Sequence, residues 1–169
     1  MRSMPPPIGQ KVIAFGYRES VPKITPTADG GFHLELKDKP TTSFGEVKRI
    51  YPERRDSVML PFPCYEVNAR FDHGMSGGLV IDESGSVCGL VCSSLSASAD
   101  QEAVSHVTTL WPMLRTLISA DRGAKYPRGV TYPAIDLALD GLITVVDLNS
   151  LDPKHFPDRT LPGRPLTSR

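Results

Sequence analysis

The chain carries no excess of either charge: nineteen lysines and arginines balance nineteen aspartates and glutamates over 169 residues. With no net field to steer it, neither nucleic acid nor a membrane surface is an expected partner. No run approaches the roughly 18 apolar residues of a membrane span. The amino-terminal stretch MRSMPPPIG has no apolar core of a secretion signal, so the chain reads as intracellular, in the cytoplasm. Cysteine is scarce. Cys64, Cys88 and Cys92 are an odd number set in or beside apolar runs, which fits reduced, buried thiols and not a secreted disulfide framework. Cys88 and Cys92 would share one side of a strand, too far along it to bond without a bend, and too few ligands surround them for zinc. No metal and no cofactor are implied. Internal repeats are absent, and the length suits one domain with one core.

What the chain does have is a series of short apolar runs punctuated by turn residues. After a Pro-rich lead-in over 1–7, KVIAFGY (11–17) reads as a strand bounded by Gly9 and Pro22. In GGFHLELKD (30–38), Phe32, Leu34 and Leu36 fall on one face and His33, Glu35 and Lys37 on the other, giving a half-buried strand. SFGEVKRIYP (43–52) offers Val47 to the core, and CYEVNA (64–69), GLVID (78–82) and VCGLVCS (87–93) follow. The last two flank DESGS, a hairpin signal. Inward positions are expected at Phe32, Leu34, Leu36, Val47, Leu79, Ile81, Leu90 and Cys92. Short strands at this spacing indicate an all-β barrel or sandwich. Two helices are expected behind them. One spans 105–120, with Leu110, Met113, Leu114, Leu117 and Ile118 at helical spacing and Pro112 in its first turn; the other spans 133–141, with Gly141 as terminator and a docking face around Tyr132, Asp136 and Leu137. A strand over 142–148 comes next, and residues 151–169, holding four prolines among charges, read as a disordered or surface tail.

The stretch FDHGMSGGLV (71–80) places Ser76 among Gly74, Gly77 and Gly78. Acyl transfer by serine needs an accessible hydroxyl and backbone N–H groups aimed at the developing oxyanion, and glycines allow that concave turn. A plain turn between two strands uses glycine as well. GMSGG also fits the G-x-S-x-G elbow of esterases, but the elbow requires a helix directly after the serine, and GGLVIDESG is a strand and hairpin. His73 reads as a rim residue of the turn, His33 as outward on its strand, and His106 as a capping or packing residue. Arg70 and Asp72 shape either a pocket entrance or a solvated rim.

The segment DHGMSGGLVIDESGSVCGLVCSS resembles the active-serine segment of the trypsin-like, chymotrypsin-fold serine peptidases. GQKVIAFGY (9–17) resembles the opening strand of that family's second barrel, and the helix expected around Leu110 to Ile118 resembles its closing helix, so the likeness covers roughly 8–120. Leu79 stands where the family usually has proline. The resemblance implies an all-β fold with a single chymotrypsin-like antiparallel barrel, the C-terminal one of that family, followed by C-terminal helices. It divides the chain into the lead-in 1–7, a barrel with closing helix 8–120, a helix-strand extension 121–150 and the tail 151–169. It further implies Ser76 as nucleophile, the N–H groups of Gly74 and Ser76 as oxyanion hole, Gly77 and Gly78 as turn residues, and Cys92, Ser93 and Ser94 as substrate-binding positions.

In that family the general-base histidine and its aspartate come from a first barrel, and no histidine here matches their position. The resemblance therefore implies half of a serine endopeptidase site, inactive or nearly so alone, because a serine hydroxyl without a base is a poor nucleophile. The expected partners are a polypeptide substrate or extended peptide, and a first barrel or a second copy of the chain. The alternative is a non-catalytic peptide-binding or structural barrel. In either case an apolar surface is expected near the serine turn and on strands of the 1–50 region.

Overall fold

The structure, a computed structural model, describes residues 1–95, 103–119, 125–126 and 128–156, excluding the side chains of residues 19, 20, 94 and 95. The turn-punctuated apolar runs form strands β1 (Lys11–Pro26), β2 (Phe32–Tyr51), β3 (Cys64–Val67), β4 (Leu79–Asp82), β5 (Val87–Leu95) and β6 (Val104–Thr108). They close into an antiparallel barrel in the order β1-β2-β3-β6-β5-β4. Its interior is filled by small and branched side chains from all sides, among them Val12, Ala14, Val47, Val67, Val80, Cys88, Val91 and Val107, with Tyr65, Phe71 and Met75 as the large members. Closure leaves no strand edge open inside the barrel proper.

The residues expected as two strands over 30–38 and 43–52 form one, β2, paired with β1 along its length from Lys11↔Glu46 to Pro26↔Phe32. The hairpin outruns the barrel: β1 meets β4 only over Val12–Phe15, and β2 meets β3 only from Val47 onward. Phe32, Leu34 and Leu36 are consequently exposed, not inward. Val47 is buried as expected. In the run Leu79-Val80-Ile81 the parity is the reverse of expectation: Val80 points inward, Leu79 is exposed and Ile81 half-buried. Leu90 and Cys92 are likewise half-buried beside buried Val91. A continuous apolar run fits either face of a pleated strand, so the choice falls to the neighbouring strands.

The helix expected over 105–120 is absent. Val104, Val107 and Thr108 belong to β6, the strand that closes the barrel between β3 and β5. Leu110 then caps a single 3-10 turn, Trp111–Arg115, with Pro112 inside it. Leu117–Ser119 is a short strand, β7, paired with β8 (Thr131–Pro133). β-branched residues prefer the pleated surface, and the barrel gains a full ladder from them. The second expected helix is present as α1 (Ala134–Leu139), and Gly141 follows it at φ 72°.

The strand expected over 142–148 is also absent: 142–147 are bends, turns and irregular chain and Leu148 starts a 3-10 turn, with Val145 buried. Together with Leu114, Ile135, Ala138, Leu151 and Phe156, Val145 makes a second apolar cluster. Leu151 and Phe156 thus pack inward, unlike the surface tail expected from 151; residues 157–169 lie outside the described residues. The lead-in is a strap across this cluster. The Met1 amine donates to the Thr144 carbonyl at 2.7 Å, and Asp147 accepts from the Ser3 and Met4 amides at 2.7 and 2.8 Å. Arg2 reaches back to the barrel, its Nε 2.6 Å from buried Asp82. Asp82 also accepts from the Ser84 and Ser86 amides, fixing the DESGS turn that joins β4 to β5. Burial pushes the Asp82 carboxyl up, but the Ser84, Arg2 and Ser86 bonds outweigh it and leave its pKa below the ordinary value.

Candidate active site

Two consecutive reverse turns present Ser76. The Met75 amide donates to the Asp72 carbonyl at 3.1 Å with Gly74 at φ 95°, and the Gly78 amide donates to the Met75 carbonyl at 2.8 Å with Gly77 at φ 82°. Both glycines sit where an L side chain would be strained, third in a four-residue turn. Gly78 is required for a different reason: a Cβ there would collide with the Phe15 and Met75 carbonyl oxygens. Gly16 permits the same close approach from the other side, since a Cβ on it would lie 3.1 Å from the Met75 Cα. The turn is thereby pressed against β1, with the fully buried Met75 as its anchor.

β5 holds the other flank. The Gly77 amide donates to the Val91 carbonyl at 2.8 Å, and the Val91 amide donates to the Gly78 carbonyl at 2.9 Å. The β5–β6 register shifts between Val91 and Ser93, which places Cys92 out of the ladder. Its carbonyl accepts from the exposed Ser76 hydroxyl at 3.4 Å. Among the described residues, the amides of Gly74 and Ser76 donate to no protein acceptor. An open groove of ≈ 360 Å³, lined by Phe15, Tyr17, Gly74, Ser76 and Leu79, lies over the turn.

The approach to the turn is held from beneath by Ser105 of β6. Its buried hydroxyl donates to the Ala69 carbonyl at 2.7 Å and accepts from the Phe71 amide at 3.0 Å. Outside, Asp72 is paired with Arg18 at 3.2 Å and Arg70 at 3.1 Å, so Arg70 and Asp72 form a bridged rim tied to β1. Sequence reasoning missed Ser105, Gly16 and Arg18. A glycine inside an otherwise apolar strand is the one signal that pointed to Gly16; Ser105 and Arg18 are brought in only by strand pairing.

Among the described residues no hydrogen bond joins a histidine to Ser76. His73 is exposed in the turn and His33 is exposed far out on the hairpin, opposite Thr25. His106 is buried on β6, its Nδ1 3.5 Å from the Ser93 hydroxyl, and its Nε2 has no partner among the described residues. Burial holds its pKa below the ordinary imidazole value, favouring the neutral ring. Of the three positions expected to bind substrate, Cys92 and Ser93 are half-buried on β5 beside the turn; Ser94 continues that strand, its side chain outside the described residues. Cys64, Cys88 and Cys92 are free thiols, and burial pushes the pKa of each up, that of Cys88 and Cys92 to about 11, which favours the protonated thiol at neutral pH. Among the described residues no group of His, Cys, Asp and Glu gathers to hold a metal ion, and no helix is long and apolar enough to cross a membrane.

No family model and no curated protein matches the chain. Among solved structures it is similar to an inactive form of Rv3671c from M. tuberculosis H37Rv, crystallised as a serine-to-alanine mutant, at 23% sequence identity and a TM-score of 0.40. The similarity covers 64% of this chain and 46% of that one, so the match spans under half the length of that protein.

Proposed function

We propose that the Ser76 turn is the nucleophile-bearing element of a trypsin-like serine peptidase barrel, and that this chain by itself binds extended peptide with little or no turnover. The observation that carries the reading is the double turn itself: an exposed hydroxyl on a glycine-dependent bend, with the adjacent Gly74 and Ser76 amides free of acceptors among the described residues. Those amides are suited to stabilise a tetrahedral oxyanion, and Gly77 and Gly78 keep the bend close to β1 and β5. Little turnover follows from the hydroxyl's surroundings. Its recorded hydrogen bond runs to the Cys92 carbonyl, which cannot take its proton, and none of the four histidines bonds to it. Without a base the hydroxyl stays protonated at neutral pH.

A non-catalytic peptide-binding role is favoured by one further observation. β5 pairs with β4 only as far as Leu90 and continues to Leu95, leaving the Ser93–Leu95 edge on that side without a strand among the described residues. An extended peptide can add there by main-chain hydrogen bonds, with Cys92, Ser93 and Ser94 as its neighbours. The experiment is labelling by a fluorophosphonate probe of the protein and of Ser76→Ala, alongside a binding titration with a library of extended peptides. Slow labelling that disappears in Ser76→Ala supports the nucleophile position. Peptide binding retained in Ser76→Ala, with no labelling of either protein, moves the assignment to the binding module. Labelling at the rate of a complete serine peptidase would overturn the proposed inactivity.

A further inference from the structure

Beyond the barrel, β1 and β2 continue as a two-stranded arm. From Tyr17↔Pro40 to Pro26↔Phe32 the two strands pair only with each other among the described residues. The cross-strand pairs on one face are Pro22↔Leu36, Ile24↔Leu34 and Pro26↔Phe32; the pairs on the reverse are Val21↔Lys37, Lys23↔Glu35 and Thr25↔His33. Over these pairs one face is apolar and the other mostly polar; Asp38, level with the bulge, is the charged residue on the apolar side of the arm. The apolar face is continuous with the outside of the barrel. Even-numbered residues of β2 lead from Phe32 to Phe44 on one side of the strand, interrupted by the exposed Asp38 and by Thr42, and Phe44 is opposite Ile13, Thr42 opposite Phe15, and Pro40 opposite Tyr17.

The β-bulge makes this continuity more than a coincidence of spacing. One extra β1 residue is accommodated between Arg18 and Val21, and such an insertion turns every later side chain to the opposite face. The apolar phase of the sequence slips by one at the same place, from Ile13, Phe15 and Tyr17 to Pro22, Ile24 and Pro26. The insertion and the slip cancel, so the apolar residues on either side of Asp38 fall on one face of the ribbon.

Nine large apolar side chains of this face, Leu79 of neighbouring β4 included, are 37 to 72% exposed. At about 200 Å² of full surface each, they leave roughly 1,000 Å² of apolar area uncovered. The largest patch on an ordinary monomer is about 300–600 Å², and one partner in a standard interface contributes about 800 Å². The face is thus large enough for one complete half of a stable interface. Pro22, Pro26 and Pro40 each lack an N–H and blunt the free edges of the arm, which disfavours edge-to-edge strand addition and leaves stacking through the face.

We propose that the covering partner is a second copy of this chain, the two ribbons stacking apolar face to apolar face about a two-fold axis. Two sheets pack closely when their twists match, and an identical ribbon has the same twist by construction. The net charge of zero removes mutual repulsion between copies, and a two-fold contact needs only a self-complementary patch. The proposal does not rest on the reading of Ser76.

The test is the mass of the full chain by sedimentation equilibrium from about 1 to 100 μM, a range that brackets a micromolar dissociation constant. The protein is expected at twice its 18.4 kDa mass at the upper end. Leu34→Glu, on the apolar face, is expected to weaken the dimer at least about 100-fold, the work of burying one uncompensated charge per copy. Thr25→Glu, on the reverse, is expected to leave it intact. Circular dichroism of both variants checks that the barrel is folded, since neither residue contributes to its core. A wild-type monomer at 100 μM overturns the proposal, whether or not the face then binds lipid vesicles. A dimer indifferent to Leu34→Glu in a folded variant overturns it equally.

Discussion

The two ends of the β1–β2 hairpin share one sequence pattern and have opposite fates. At the barrel end, Val12 and Ala14 are buried while Ile13 and Phe15 point outward. At the free end, the alternation of Lys23, Ile24 and Thr25 is as regular, yet all three are exposed. The strands differ little; their neighbours differ entirely. β3, β4, β5 and β6 wrap the barrel end and supply the apolar surface that covers one face, and none of them pairs past Phe15 on the one strand or below Val47 on the other. Alternation therefore marks that a strand has two unlike faces, and says nothing about which face finds a cover.

Placing one charge at each end breaks the comparison most sharply. Val47→Asp puts an unpaired carboxylate at a fully buried position and is expected to cost more than about 4 kcal/mol, enough to unfold a marginal domain. Leu34→Asp, measured at a protein concentration too low for association, is expected to stay within about 0.5 kcal/mol of wild type. Urea midpoints of the two variants decide the matter, and similar losses would mean that the arm is packed.

A contrast of ion pairs sharpens it further. Asp82 has a side chain with no exposed surface and pairs with Arg2, whereas Glu35 and Lys37 on the arm are 3.8 Å apart and exposed. Asp82→Ala strands Arg2 and the Ser84 and Ser86 amides, for an expected loss of about 2–3 kcal/mol; Glu35→Ala is expected to change nothing measurable. Acid should separate the two as well. The folded Asp82 pKa lies below its unfolded value of about 3.9, so its contribution is complete above that value and is lost as pH falls through the lower, folded one. Urea midpoints between pH 5 and pH 2 should decline in the wild type and decline less in Asp82→Asn.

The smallest effect expected is at the loop feeding the serine turn, which is held by two serines in unlike settings. Ser105→Ala leaves the buried Phe71 amide and Ala69 carbonyl without their partner and is expected to cost about 1–3 kcal/mol. The Ser43 hydroxyl donates to the Arg70 carbonyl at 2.9 Å from an exposed position, and Ser43→Ala is expected to cost no more than about 0.5 kcal/mol. Thermal melts of the two variants give the ranking; equal shifts would mean that the loop is supported from outside as much as from within.

The features legible in the residues themselves are those fixed by local stereochemistry. Gly74 and Gly77 had to occupy positive φ for Ser76 to stand on a bend between strands, DESGS had to turn with Gly85 at φ 80°, and Gly141 had to end α1. The strands, the all-β class and the serine turn follow from that punctuation combined with apolar runs. Local spacing also misled: Leu110, Met113, Leu114 and Leu117 repeat as a helix repeats, but the barrel takes the start of the expected helix into β6 as far as Thr108, and the remainder is divided between a 3-10 turn and the short strand β7.

Tertiary structure alone decided the inward parity of Leu79-Val80-Ile81, the burial of Leu151 and Phe156, the placing of Ser105 under the turn, and the bond of the Ser76 hydroxyl to the Cys92 carbonyl. Each depends on which distant segment comes alongside. A chain encodes its own turns and faces within a few residues, but burial and catalytic geometry are properties of pairs far apart in sequence, settled only when the barrel closes.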